Sequence, residues 1–232
     1  MAEAPFHIVF AVFPGMTHLD FTGPHQFLSR APNSRTTVAS AAGGAVPADG
    51  LVFAETARLA DIETCDLICV PGGVAATEVA LDEAFVGEVR RLAKGARYVT
   101  SVCTGSLILG AAGLLRGKRA ACHWAWRDLL PLFGAIPDER RVARDGNIIT
   151  GGGVTAGIDF ALTVLAEIAG EEVAQGIQLG LEYAPAPPFN AGRPEIAPPE
   201  IRARYGKLME AMKAPRLAQA EEAAARLERE PA

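Results

Sequence analysis

Short apolar runs alternate with helical patterns along most of this chain, and this alternation constrains its fold more than any other feature. Five runs have the composition of buried strands: residues 7–13 (HIVFAVF), 36–40 (TTVAS), 66–73 (DLICVPGG), 98–103 (YVTSVC) and 147–153 (NIITGGG). Strands that are apolar throughout and separated by helices are typical of a mostly parallel sheet covered on both faces. The sequence therefore predicts an α/β fold.

Two segments look like hairpins instead. One covers residues 50–55, and the other, residues 141–150, contains an Asp-Gly turn. We expect both to lie at one edge of the sheet. Residues 184–199 are proline-rich and are expected to run extended over the surface. A charged helical pattern follows and is expected to be interrupted at Pro215. We predict an α/β domain over residues 1–193 and a C-terminal helical tail over residues 194–232.

The composition excludes several kinds of partner. Acidic residues outnumber basic ones by 27 to 22, the net charge is −5, and no lysine or arginine cluster is long enough to follow a phosphate backbone. We expect no nucleic acid partner. The first apolar run has no basic leader and ends at Pro14, which is unlike a signal peptide or a membrane span. We therefore expect no membrane association and a cytoplasmic location, where the four cysteines are free thiols.

Cys103 lies where a predicted strand meets a predicted helix. Small residues, Ser101 and Gly105, stand two positions away on each side, as a sharp strand-nucleophile-helix turn requires. The start of the helix is expected to favour the thiolate and to lower the pKa of Cys103. The alternative is a buried structural cysteine, which is the interpretation we favour for the other three, Cys65, Cys69 and Cys122.

Further candidates also follow predicted strands, and ligands of such sheets bind at the carboxyl ends of the strands. The backbone N–H groups of Gly72 and Gly73 are expected to stabilise an anion on a substrate, unless the pair is only a turn. Asp20 is the candidate acid, or else a surface or capping residue, and the Gly23-Pro24 pair after it is expected to interrupt the helix. His123 either pairs with Cys103 or is a core histidine.

Four segments together resemble the ThiJ/PfpI superfamily: YVTSVCTGSLILGAAGLLRGKRA at residues 98–120, HW at 123–124, ITGGGVTAGIDFAL at 149–162 and LEYAPAPPFNAG at 181–192. Within it they look most like the isonitrile hydratase branch, which converts isonitriles to N-substituted formamides. The resemblance extends from about residue 6 to residue 193. It implies a flavodoxin-like three-layer sandwich and a homodimer. It also implies that Cys103 is the nucleophile, that Asp20 is the acid/base, and that Thr104 supports the site.

Two positions depart from other branches of the superfamily. Many members have a glutamate where this chain has Asp20, and the protease-like branch has a histidine where this chain has Thr104. Both departures fit the hydratase branch and argue against a peptidase. Attack by Cys103 with proton transfer from Asp20 would form a thioimidate that water hydrolyses, and this route requires no metal or organic cofactor.

Two alternatives remain. A glyoxalase-like enzyme would use the thiol on 2-oxoaldehydes, and His123 would then matter more. A non-catalytic protein would use Cys103 as a redox sensor. The same kind of domain also occurs in AraC-type regulators, but the acidic, alanine-rich tail of this chain does not look like a DNA-binding module.

Overall fold

The computed structural model describes residues 4–229. Its strands are β1 (Phe6–Ala11), β2 (Ser34–Ser40), β3 (Gly44–Ala48), β4 (Leu51–Arg58), β5 (Leu67–Val70), β6 (Tyr98–Val102), β7 (Arg119–Ala120), β8 (Ile136–Pro137), β9 (Val142–Asp145) and β10 (Ile148–Gly151). Its α-helices are α1 (His18–Leu28), α2 (Ala76–Val79), α3 (Glu83–Gly95), α4 (Gly105–Ala111), α5 (Ala156–Ala169), α6 (Glu171–Gly180), α7 (Pro199–Ala211) and α8 (Lys213–Arg229). Two 3-10 helices lie at Leu59–Asp61 and Arg127–Phe133.

Eight strands form one sheet in the order β3-β4-β2-β1-β5-β6-β10-β9. The six strands from β4 to β10 in this order are parallel, and β3 and β9 add antiparallel edges. Every residue of β5 and of β10 is buried, which requires cover on both faces of the sheet. The predicted flavodoxin-like α/β sandwich with a mostly parallel sheet is confirmed.

The two hairpins lie at opposite edges, so the prediction that they share one edge is wrong. The β3-β4 hairpin joins the sheet through β2, whereas the β9-β10 hairpin joins it through β6. In the sheet order, β1 and β5 lie between β2 and β6. A hairpin added beyond β2 and a hairpin added beyond β6 therefore lie at opposite edges of the sheet.

Helix α1 continues through Gly23 and Pro24 to Leu28, and the predicted interruption there is also wrong. The proline removes one backbone hydrogen bond from the helix. Close packing on α5 offsets this loss: a Cβ placed on Gly157 would lie 3.1 Å from Cδ of Pro24. Tertiary contacts therefore hold a helix that the local sequence disfavours.

The C-terminal tail packs against the rest of the chain. The helical pattern of the tail is interrupted at Met212, between α7 and α8, and not at Pro215 as predicted. Pro215 is tolerated because it falls in the first turn of α8, where a backbone N–H has no acceptor within the helix. Three alanines of α8 are buried, namely Ala220, Ala223 and Ala224. The hydroxyl of Thr77 on α2 donates to Oε1 of Gln219 at 2.6 Å.

The proline-rich segment at residues 184–198 contains no helix or strand and is mostly exposed, as predicted. The division into domains at residue 193 stays a prediction, and the outermost three residues at each end fall outside the described part of the chain. None of the helices described has the length and apolar character needed to cross a membrane.

Candidate functional site

The chain turns sharply at Cys103 between β6 and α4, as the sequence predicts. Cys103 has a φ of 60°, a left-handed conformation that is uncommon for any residue except glycine. Its backbone N–H donates to the carbonyl of Gly152 at 2.8 Å, which fixes the turn. Helix α4 can approach the end of β5 only because residue 105 is glycine: a Cβ on Gly105 would lie 2.2 Å from the carbonyl oxygen of Val70.

The thiol of Cys103 is buried, and only 5% of the residue is exposed. Burial, and after it the neighbouring Asp20 and Cys122, raise the pKa of Cys103 well above its ordinary value. Hydrogen bonds from the backbone amides of Val154 and Thr104 lower the pKa, but by less than burial raises it. The predicted lowering of this pKa is therefore wrong, because burial outweighs the start of the seven-residue helix α4. At neutral pH the resting side chain is a neutral thiol.

Asp20 lies beside this thiol and is completely buried. Burial raises the pKa of Asp20 to about 7, and hydrogen bonding to the thiol of Cys103 and to the amide of Gly72 limits the rise. Oδ2 accepts the N–H of Gly72 at 3.1 Å, while Oδ1 has no hydrogen-bond partner within residues 4–229. Near neutral pH both protonation states of Asp20 are populated, which suits a group that must accept and return a proton.

Thr104 and the Gly72-Gly73 turn support this pair of side chains. Oγ1 of Thr104 accepts the N–H of Gly73 at 2.9 Å and donates to the carbonyl of Gly73 at 3.1 Å. A Cβ on Gly72 would lie 2.4 Å from the backbone nitrogen of Thr104 and 2.9 Å from Oδ2 of Asp20. The amides of Gly72 and Gly73 are thus already hydrogen-bonded within the protein, where they hold Asp20 and Thr104 in place.

His123 follows β7 and is held on two sides. Its Nδ1 accepts the backbone N–H of Ala125 at 3.3 Å, and its ring stacks on Trp124 with a centroid distance of 5.7 Å. Burial, followed by the charge of Arg216, lowers the pKa of His123 to about 4, so the imidazole is neutral at physiological pH. No hydrogen bond joins it to Cys103 in the described chain.

A cavity of about 160 Å³ opens onto Cys103. Its walls come from the α/β domain and from the tail: Thr17, Gly73, Val74, Cys103, Thr104, His123, Trp126, Val154, Tyr205, Met209, Met212 and Arg216. A separate cavity of about 220 Å³ lies beyond His123 and does not include Cys103. In residues 4–229, no group of three or more histidine, cysteine or acidic side chains is arranged to hold a metal ion.

Sequence reasoning missed the tail's part in this cavity. Tyr205, Met209, Met212 and Arg216 belong to α7, α8 and the break between them. Their spacing of four, three and four residues is that of one helix face, and this is the signal that could have found them.

A family model described as the DJ-1/PfpI family matches residues 7–167. The protein therefore belongs to the DJ-1/PfpI (ThiJ/PfpI) family. It is similar to an isonitrile hydratase of Pseudomonas putida, with 51% identity over 197 residues that cover 84% of this chain and 86% of the relative.

Solved structures agree with this assignment. A ThiJ/PfpI family protein from Pseudomonas syringae superimposes with a TM-score of 0.89 at 39% identity, covering 95% of this chain and 90% of that chain. DJ-1beta of Drosophila melanogaster superimposes with a TM-score of 0.70 at 25% identity, covering 78% of this chain and all of that chain (100%). The first of these matches extends over the C-terminal tail as well as the α/β domain.

Proposed function

We propose that this protein is an isonitrile hydratase, which adds water to R–N≡C and releases the formamide R–NH–CHO. The observation that carries the proposal is the pair of Cys103 and Asp20: a buried thiol on the wall of a small cavity, beside a buried carboxyl group with a pKa of about 7. An isonitrile carbon must gain both a nucleophile and a proton, and this pair offers both groups. The similarity to the Pseudomonas putida enzyme supports the same reaction.

In the reactive form of the pair Cys103 holds its proton and Asp20 is ionised, since the raised pKa of Cys103 keeps the thiol neutral while Asp20 is partly ionised near pH 7. Asp20 accepts the thiol proton as the sulfur attacks the terminal carbon, and it passes this proton to the same carbon. The product of this step is the thioimidate R–N=CH–S–Cys103. Addition of the thiol is complete at this point, and no atom has left.

Water then completes the reaction. Asp20, ionised again, takes a proton from the water that attacks the thioimidate carbon. Asp20 passes that proton to the nitrogen, which gives the tetrahedral intermediate R–NH–CH(OH)–S–Cys103. As the carbon–sulfur bond breaks, the hydroxyl proton moves to the sulfur through Asp20, and the formamide leaves. Thr104 has a positioning role, because its hydroxyl is tied to Gly73 and its backbone amide bonds to the Cys103 sulfur.

Proton NMR of purified protein with cyclohexyl isocyanide tests the proposal. The formyl proton of N-cyclohexylformamide is expected with the wild-type protein and not with Cys103→Ser. A wild-type protein that leaves the isonitrile unchanged would refute the proposal. The proposed role of Asp20 as the acid/base is refuted if Asp20→Asn retains wild-type turnover at saturating substrate.

A glyoxalase-like activity is the second candidate, because neutral His123 lines the same cavity as Cys103. With Nδ1 accepting the N–H of Ala125, the other ring nitrogen carries the proton and can donate to the carbonyl oxygen of a 2-oxoaldehyde. The same NMR assay with methylglyoxal distinguishes the two, since lactate forms only if this candidate is correct. For the redox-sensor alternative, stable oxidation of Cys103 without turnover of either substrate is the decisive result. The burial and raised pKa of Cys103 disfavour the redox-sensor alternative, because an exposed thiolate is the form that is oxidised readily.

We also propose that the protein is a homodimer, as its family resemblance implies, and that it is located in the cytoplasm. Light scattering coupled to size-exclusion chromatography measures the oligomeric state directly, and a monomer at micromolar concentration would contradict the dimer.

A further inference from the structure

The wall that the tail contributes to the cavity carries a permanent charge. Among the described residues that line the cavity, Arg216 of α8 is the only one that is charged at every physiological pH. The rest of this wall is Tyr205, Met209 and Met212, and Cys103 lies in the same cavity. A small cavity whose other described walls are apolar or uncharged thus has a single permanent cation at its border.

Arg216 is held in a fixed position. Its guanidinium lies over the ring of Trp126, 4.2 Å from the centroid, and Nη2 donates to the carbonyl of Val74 at 3.3 Å. A cation over an indole face is attracted by the ring and loses freedom to swing away. Because Trp126 and Val74 belong to the α/β domain, this side chain joins the tail to the cavity.

The charge of Arg216 has no direct counter-ion in the described part of the chain. No aspartate or glutamate within residues 4–229 comes within ion-pair distance of its guanidinium, and Glu78 acts on it only as a longer-range charge. The side chain is half-buried. A guanidinium offers five N–H donors in a planar arrangement that matches a carboxylate, and here the carbonyl of Val74 accepts from one of its nitrogens. Donors are therefore left for a group that enters the cavity.

We propose that Arg216 makes the cavity selective for isonitriles whose R group carries a carboxylate. This inference rests on the proposed function and adds a substrate class to it. The carboxylate would lie against the guanidinium while the isonitrile carbon reaches the sulfur of Cys103. Arg216 is then a specificity-determining residue, and it comes from a part of the chain beyond the match to the family model.

The competing explanation is that Arg216 acts on the thiol. Arg216 and Cys103 interact electrostatically, so a guanidinium could stabilise the thiolate with any substrate. The two explanations differ in one respect. A residue that stabilises the thiolate speeds every reaction of Cys103, whereas a residue that binds a carboxylate speeds only the reactions of anionic reagents.

Alkylation of Cys103 separates these explanations without requiring turnover. Iodoacetate and iodoacetamide have nearly the same size and differ by one negative charge, and their rates at Cys103 are followed by mass spectrometry of the peptide that contains it. In Arg216→Gln we expect the iodoacetate rate to fall about tenfold or more, as for the loss of a charge-assisted hydrogen bond, with the iodoacetamide rate nearly unchanged. Equal loss with both reagents, or no loss with either, overturns the inference.

Two further variants serve as controls. Arg216→Lys keeps the charge without the planar donors and is expected to retain part of the preference for iodoacetate. Arg204→Gln removes an exposed arginine of α7 that does not line the cavity, and it is expected to change neither rate. A thermal unfolding midpoint for each variant shows that the tail is still docked.

Hydration of isocyanoacetate and isocyanoacetamide tests the substrate class itself. The wild-type kcat/KM is expected to favour isocyanoacetate by about tenfold or more, and Arg216→Gln to remove that preference. If both isonitriles are hydrated equally well and the variant changes neither, the inference fails and the proposed function stands. If neither of these nor cyclohexyl isocyanide is hydrated but the alkylation preference depends on Arg216, the proposed function fails and the anion preference stands.

Discussion

Replacing Asp20 with asparagine is expected to change how the stability of the fold depends on pH. Asp20 is completely buried, and its pKa is about 7 in the folded protein against 3.8 for an ordinary aspartate. Between these two values the folded state binds more protons than the unfolded state, so the free energy of unfolding falls as pH rises. The full shift of about three units corresponds to roughly 4 kcal/mol, lost progressively as pH increases from below 3.8 through 7.

The experimentally accessible part of this effect lies between pH 5 and pH 8. Integrating the two titrations over that interval gives about 2.5 kcal/mol of stability lost by the wild type through Asp20 alone. The asparagine side chain of the variant does not ionise. The difference in unfolding free energy, variant minus wild type, is therefore expected to grow by about 2.5 kcal/mol from pH 5 to pH 8.

Urea unfolding of both proteins at the two pH values measures this quantity. Taking the change in the difference cancels the titration of other groups and any constant packing effect of the amide. Asp61→Asn, at an exposed carboxylate, is the matched control. A difference for Asp20→Asn that stays constant within about 0.5 kcal/mol, the usual extent of surface effects, would refute the buried, half-protonated carboxyl group.

Two further predictions concern the framework of the site. Thr104→Val removes the hydroxyl that bonds to both backbone groups of Gly73; we expect a loss of about 1–3 kcal/mol in urea unfolding and slower hydration, and unchanged turnover would contradict its positioning role. Gly105→Ala places a Cβ 2.2 Å from the carbonyl oxygen of Val70 and is expected to lower the free energy of unfolding by about 1–3 kcal/mol or more. Gly176→Ala is the control: it lies on α6 with open space around it, and it is expected to raise the free energy of unfolding by about 0.5–1 kcal/mol. Equal effects of the two alanines on the thermal midpoint would argue against the tight turn at residue 105.

The sheet was predictable because its signal is repeated along the chain. Four of its strands, namely β1, β5, β6 and β10, are largely apolar and are each followed by a helix, and the parallel arrangement follows from that alternation. The position of Cys103 in a strand-to-helix turn was predictable for a local reason as well, since the small residues beside it are needed by the turn itself.

Features that depend on contacts distant in sequence were not predictable in this way. The continuation of α1 through Pro24 depends on packing against α5, more than a hundred residues later. The direction of the pKa shift of Cys103 depends on burial under several elements together, which no local pattern reports. Arg216 enters the site only because α8 packs on the domain. Its spacing from Tyr205, Met209 and Met212 places it on one helix face, but the spacing does not tell which part of the chain that face contacts.

The central step of the proposed reaction is covalent addition of Cys103 to an isonitrile carbon, and intact-mass spectrometry during turnover tests this step most directly. Wild-type protein mixed with excess cyclohexyl isocyanide and quenched in acid is expected to gain the mass of one whole isonitrile, located on the peptide that contains Cys103. Cys103→Ser is expected to show neither the adduct nor the formamide. Formamide production by Cys103→Ser at the wild-type rate would contradict the proposed covalent step, because hydration would then proceed without the thiol.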